Sequence, residues 1–388
     1  MSESFEYERR PLLVVFSERS AFKETYGGEI DRVALQVHWL KPARPSKTVL
    51  VFMHPVGGQA YLPMINAFVK AGCHVLVADS RYRGTDSALI MEKVALDLGA
   101  VVREARERLG YERVVLAGWS GGGSLSLFYQ AEAEDPSVTA TPAGDGPDLT
   151  AAGLTPADAV LLLAAHRSRH ETLTEWMDAS ILDESDPGRR ARELDLYDPQ
   201  APNQPPYDRG FVAAYRQAQI ARNRRITATV RQRLEDLRTR GRDKDEFAFV
   251  VHGTMADPRW LDATLDPNDR KPGWCYLGDP RVVNMSPVGL ARFCTLRSWL
   301  SQWSYDDAHA DGLRSAARID VPVLVISNSA DDACTPDQAQ SLFDAVKHDR
   351  KALYEVKGAN HYYFGQPDKA QEAVRLCTAW LSANSLLE

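Results

Sequence analysis

The stretch Arg113-Val114-Val115-Leu116-Ala117-Gly118-Trp119-Ser120-Gly121-Gly122 decides the fold. Its first half is a continuous apolar run, as expected of a strand buried on both faces of a sheet. The run breaks into Gly-x-Ser-x-Gly, and a helix-compatible segment follows at 124–133. This spacing marks a strand that turns so sharply into a helix that only small residues can flank the serine. The turn strains the serine backbone and presents its hydroxyl at the C-terminal edge of the sheet. In a loop the same five letters would mean little; between a buried strand and a helix they mark a nucleophile elbow.

Working outward, further short apolar runs occur at 12–16, 33–40, 48–53, 74–78, 159–165, 321–327 and 352–356, which with 113–117 predict eight strands. From the third onward they are continuous, not alternating, and helical patterns at 62–71, 90–109, 124–133, 337–347 and 371–383 separate or follow them. The pattern is that of an α/β protein with a mostly parallel sheet covered by helices. The first two strands have no helix-length segment between them and predict an antiparallel start. One interval, 166–319, breaks the rhythm and reads as a large, mainly helical cap inserted between two core segments, 1–165 and 320–388. It opens with Pro- and Asp-rich connections. A long helix is expected at 208–240, with Ile226, Val230, Leu234 and Leu237 on one face, and a second at 290–303, with an apolar stripe of Phe293, Leu296, Trp299, Leu300 and Trp303.

A serine hydroxyl needs a base, and the base needs an acid to fix its tautomer and steady its charge. Three further segments bear on this. His54-Pro55-Val56-Gly57-Gly58 ends the third strand, Ser329-Ala330-Asp331-Asp332-Ala333-Cys334-Thr335-Pro336 follows the seventh, and Gly358-Ala359-Asn360-His361-Tyr362 follows the eighth. With the elbow, these segments resemble the α/β-hydrolase superfamily. The resemblance covers roughly residues 11–165 and 320–384; the insert is not covered. It implies a triad of Ser120 as nucleophile, Asp332 as acid and His361 as base, in the chain order of that fold. Asp331 is the rival acid. The loop after the third strand commonly reads His-Gly-x-Gly-Gly in the superfamily, and the departure at Pro55 removes an N–H. The oxyanion donors implied are therefore the N–H groups of Val56 and of Gly121, the residue after the nucleophile. His54 is read as shaping its loop, and His54, Trp119, His166 and Tyr362 as standing near substrate. The segment 79–87 resembles the superfamily's structural loop after the fourth strand.

Composition excludes several classes. A net charge of −7 and a pI near 5.8 argue against nucleic acid or an anionic membrane as partner. The longest apolar run, Ala159–Ala165, is far short of the roughly 18 residues a spanning helix needs. The start MSESFEYERR lacks a secretory pattern, and the five cysteines (Cys73, Cys275, Cys294, Cys334, Cys377) are odd in number without a CxxC pair, so a reduced, cytoplasmic setting is expected. His166 and His170 are four apart beside Glu171, but a third ligand is not evident, and neither a metal nor another cofactor is expected. The Arg-rich helix 208–240 reads as a solvated or oligomer-facing surface, and with the Trp stripe it would suit a homodimer. The expected activity is cleavage of a small-molecule carboxylic ester, lactone or related acyl compound carrying a bulky apolar or aromatic group. Acyl transfer, thioester cleavage and carbon–carbon hydrolysis use the same residues; a binding protein with an idle triad is the alternative outside catalysis.

Overall fold

Eight of the apolar runs meet in one sheet. In chain order its strands are β1 (Tyr7–Ser17), β2 (Arg32–Pro42), β3 (Thr48–His54), β4 (His74–Asp79), β5 (Arg113–Ser120) and β6 (Ala159–Ala165); after a long interval holding the short strands β7 (Ala248–Val250) and β8 (Phe293–Thr295) come β9 (Val323–Asn328) and β10 (Lys351–Val356). The computed structural model describes residues 6–25 and 27–388; Tyr26 and the first five residues, on which the reading of the chain start partly rests, lie outside the described residues. The spatial order is β1-β2-β4-β3-β5-β6-β9-β10. β2 runs antiparallel to both β1 and β4, and the other pairings are parallel. β1 extends further than its apolar run because its charged first residues still pair with β2, from Tyr7 opposite Pro42 onward.

The two faces of the sheet follow from the period-2 alternation of a strand. Val49, Val51 and Met53 of β3 face a core shared with α2 (Met91–Arg103), α3 (Gly121–Glu134) and α10 (Pro336–Ala345). Leu50 and Phe52 face the opposite core, with α1 (Pro63–Lys70) and α11 (Pro367–Ala383). β3, β4, β5 and β6 are covered on both sides and almost wholly buried.

Between β6 and β9 the chain forms α4 (Arg169–Trp176), α5 (Arg209–Thr239), α6 (Pro258–Leu261), α7 (Pro280–Val283), α8 (Leu296–Gln302) and α9 (Gly312–Ala316), joined by long irregular segments and by the antiparallel β7–β8 pair. Ile226, Val230, Leu234 and Leu237 of α5 pack against Leu296, Trp299, Leu300 and Trp303, as the helical spacing predicts. The second helix starts later than expected. Phe293 belongs to β8 and is half exposed, and α8 begins only after Thr295, whose side chain accepts from the Ser298 N–H in a reciprocal capping box. Trp299 and Trp303 are fully buried, so the tryptophans of the stripe belong to the core of this region. Several arginines of α5 are matched by acids of this same region: Arg224 with Asp306, Arg231 with Asp307, and the fully buried Arg222 with Glu184. Among the described residues no helix is long and apolar enough to cross a membrane, and all five cysteines are free and buried.

Candidate active site

The elbow is held by close backbone contacts. Ser120 sits at φ 54° and ψ −126°, a strained conformation for a residue with a side chain, between the end of β5 and the first residue of α3. A Cβ on Gly118 would lie 2.4 Å from the Gly122 carbonyl oxygen, one on Gly122 2.6 Å from the Met53 oxygen, and one on Gly123 2.4 Å from the Ala165 Cβ. Glycine is needed at all three because α3 crosses hard against β3, β5 and β6.

Three side chains converge there. The Ser120 hydroxyl lies 3.1 Å from His361 Nε2, and His361 Nδ1 donates to Asp331 Oδ2 at 2.8 Å. All three are nearly excluded from solvent. The carboxylate against the imidazole is that of Asp331, not of Asp332, the acid expected from the sequence. The reason lies in the turn after β9: the backbone N–H groups of Ala333 and Cys334 both donate to Asp331 Oδ1 at 2.8 Å and aim the other oxygen at His361. Asp332 is left partly buried, with its own backbone N–H as the donor beside it. Burial, and then the neighbouring Asp331 charge, push its carboxyl up to about 7. The His361 loop is fixed through its backbone: Trp119 Nε1 donates to the His361 carbonyl at 3.0 Å, and Asn328 donates to the Asn360 carbonyl at 2.9 Å.

The loop after β3 departs from expectation in a second respect. Gly57 and Gly58 both adopt positive φ and turn the chain back under Ser120. The Val56 N–H, the expected oxyanion donor, points instead to His54 Nδ1 at 3.2 Å. Gly121, the other expected donor, opens α3, where a first-turn N–H has no helical acceptor. Burial first, then the charges of Arg169 and His361, lower the His54 imidazole to about 3.

A cavity of about 330 Å³ opens over Ser120. His54, Trp119, His166 and Tyr362, expected near substrate, all line it. His166 also meets Cys334 Sγ at 3.4 Å, whereas His170 turns to Asp311 at 3.3 Å, so these two histidines do not converge as a ligand pair. The cavity has further walls that sequence reading missed: Trp176, Tyr276 and Leu290 from the insert, Asp86 from the loop after β4, and Arg169. Arg169 is the first residue of α4, set there by the Ser168 cap accepting from the Glu171 N–H. Its guanidinium donates to Gln302 at 2.9 Å, stands 3.5 Å from Asp86 and lies 4.3 Å from the Trp303 ring centroid. The one advance signal was the Ser-x-x-Glu capping pattern, which places a helix start directly after β6.

No family model and no curated protein matches this sequence. Among solved structures the chain is similar to the alpha/beta hydrolase GrgF from Penicillium sp. sh18, with TM-score 0.52 and 12% identity over 96% of this chain and 98% of that one. It is also similar to DcsB, solved in complex with its substrate analogue, with TM-score 0.51 and 13% identity over 92% and 97% of the two chains.

Proposed function

We propose, from the premise that this chain has the α/β-hydrolase fold, that it is a serine hydrolase cleaving a carboxylic ester or lactone through an acyl-enzyme. The observation that carries the reading is the relay from Ser120 Oγ to His361 Nε2 at 3.1 Å and from His361 Nδ1 to Asp331 at 2.8 Å. With Nδ1–H held by Asp331, Nε2 is free to accept the serine proton as Oγ attacks the substrate carbonyl. His361 then returns that proton to the departing alcohol and takes another from the water that hydrolyses the acyl-enzyme. Asp331 holds the ring in place and steadies the imidazolium.

The segment 166–319 acts as a cap over this site, because α4 and the stretch around Tyr276 close the cavity above Ser120. Closing a site in this way excludes water and shapes the space for the acyl and alcohol groups. The rings of Trp119, Trp176, Tyr276 and Tyr362 support a substrate with a bulky apolar or aromatic group. Replacing Ser120 by Ala is expected to reduce turnover of a panel of p-nitrophenyl esters to the level without enzyme, with the fold unchanged by circular dichroism. Turnover retained in the Ser120→Ala protein would remove the nucleophile assignment.

A further inference from the structure

Every backbone donor of the loop after β3 is already committed. Pro55 has no N–H; the Val56 N–H donates to His54 Nδ1 at 3.2 Å, the Gly57 N–H to the His54 carbonyl at 2.8 Å, and the Gly58 N–H to Asp79 Oδ1 at 2.6 Å. The loop that lies beneath the nucleophile therefore has no free amide to offer a developing negative charge. It does have a ring. Because Nδ1 accepts from Val56, a neutral imidazole must carry its proton on Nε2. The ring is half-buried beside the Arg169 cation, and burial and that charge both favour the neutral form.

Nε2 has no hydrogen-bond partner among the described residues, and it comes within 2.9 Å of the point where a Cβ on Gly121 would sit. His54, Ser120 and Gly121 line the same cavity. The Nε2–H thus faces the residue whose own amide is the other oxyanion donor, and any side chain at 121 would collide with it.

We propose that the oxyanion hole is built from the His54 Nε2–H and the Gly121 N–H, the imidazole taking the place of a backbone donor. The inference rests on the serine-hydrolase reading above. As Ser120 Oγ bonds to the carbonyl carbon, the π pair moves onto the carbonyl oxygen and the serine proton passes to His361 Nε2. The new oxyanion accepts hydrogen bonds from His54 and Gly121, and no bond at His54 forms or breaks. When the intermediate collapses, the oxygen recovers its double bond and the alcohol leaves with the proton from His361. His54 is then a catalytic residue whose contribution exists in the transition state more than in the ground state, so it acts on kcat.

Two substitutions separate this role from loop shaping. His54→Asn keeps an acceptor near the Nδ1 position for the Val56 N–H but has no donor at Nε2; His54→Gln places an amide donor near Nε2 and gives up the Nδ1 acceptor. Loss of the donor is expected to lower kcat by about 10²- to 10³-fold with KM little changed in His54→Asn, and His54→Gln is expected to recover part of it. A His54→Asn enzyme with wild-type kcat, or one that outperforms His54→Gln, overturns the proposal. A second measurement needs no folded variant for its readout: in ¹⁵N-histidine-labelled wild type, His54 is expected to be protonated on Nε2 alone, and that proton to move downfield when a trifluoromethyl ketone adds to Ser120. The opposite tautomer, or no movement on adduct formation, also overturns it. If wild type forms no adduct with the ketone, the serine reading itself fails; if the adduct forms and His54 does not respond, only the present inference falls.

Discussion

At positions 331 and 332 two aspartates stand side by side, yet their surroundings separate them. Asp331 accepts two backbone N–H groups and the His361 imidazole, whereas burial holds the Asp332 carboxyl at about 7. Asp331→Asn is expected to lower kcat about 10⁴-fold by favouring the wrong His361 tautomer, while Asp332→Asn leaves it within a few-fold; equal losses in ester-hydrolysis assays would contradict the assignment. Stability carries a second signature of Asp332. Its folded pKa lies above the ordinary 3.8, so between those values the folded protein holds a proton that the unfolded chain has released, and stability falls as pH rises from about 4 to about 7. Asp332→Asn is therefore expected to melt at a higher temperature than wild type at pH 8 and at the same temperature near pH 4, by calorimetry. Ser120 and His361 were legible in the sequence because each lies in a short motif at a strand end. The choice between Asp331 and Asp332 was not, because it depends on which carboxylate meets the Ala333 and Cys334 amides. The partner of the Val56 N–H was hidden for a like reason, being a side chain two residues away.

At the scale of elements, the strand-turn-helix of β5 and α3 is the part that local rules specify most fully. Continuous apolar runs gave the strands, and the glycines gave the turn. The structure adds why the helix starts three residues before its apolar pattern: Gly121, Gly122 and Gly123 form its first turn against β3 and β6. A methyl group at Gly118 would meet the Gly122 oxygen at 2.4 Å and the Gly123 Cα at 2.6 Å, both backbone atoms that cannot swing aside. Gly118→Ala is expected to cost at least about 2 kcal/mol in urea unfolding, at the upper part of the range for overpacked sites. An unchanged midpoint would show that α3 can shift away from the strand. The β8–α8 junction was harder to read, since an apolar stripe at helical spacing runs on into Phe293, and only the Thr295 cap marks the true start.

At the scale of the molecule, the insert and the core are joined at the acid of the site. Arg259 of α6 is buried between Asp257 and Glu175 and donates to Thr335, four residues beyond Asp331. Burial alone would raise the Asp257 carboxyl; the Arg216 and Arg259 charges reverse this and hold it at about 2. Arg259→Ala leaves buried carboxylates without their partner and is expected to destabilise the protein by about 3–5 kcal/mol in denaturant unfolding; a loss below about 1 kcal/mol would mean that water reaches the cluster. This cluster was not legible in advance, because Glu175 lies 84 residues from Arg259 and Arg216 lies 41 residues from Asp257. The sequence-readable core holds Ser120 and His361, and the insert adds part of the cavity wall, Arg169, Trp176, Tyr276 and Leu290 among it. The claim on which all of this depends is that Ser120 is the activated nucleophile. Intact-mass and peptide mass spectrometry after treatment with a fluorophosphonate tests it most directly. One phosphonyl group per chain is expected, mapped to Ser120 and absent from Ser120→Ala; an unmodified wild-type protein, or a label on any other residue, would contradict the assignment.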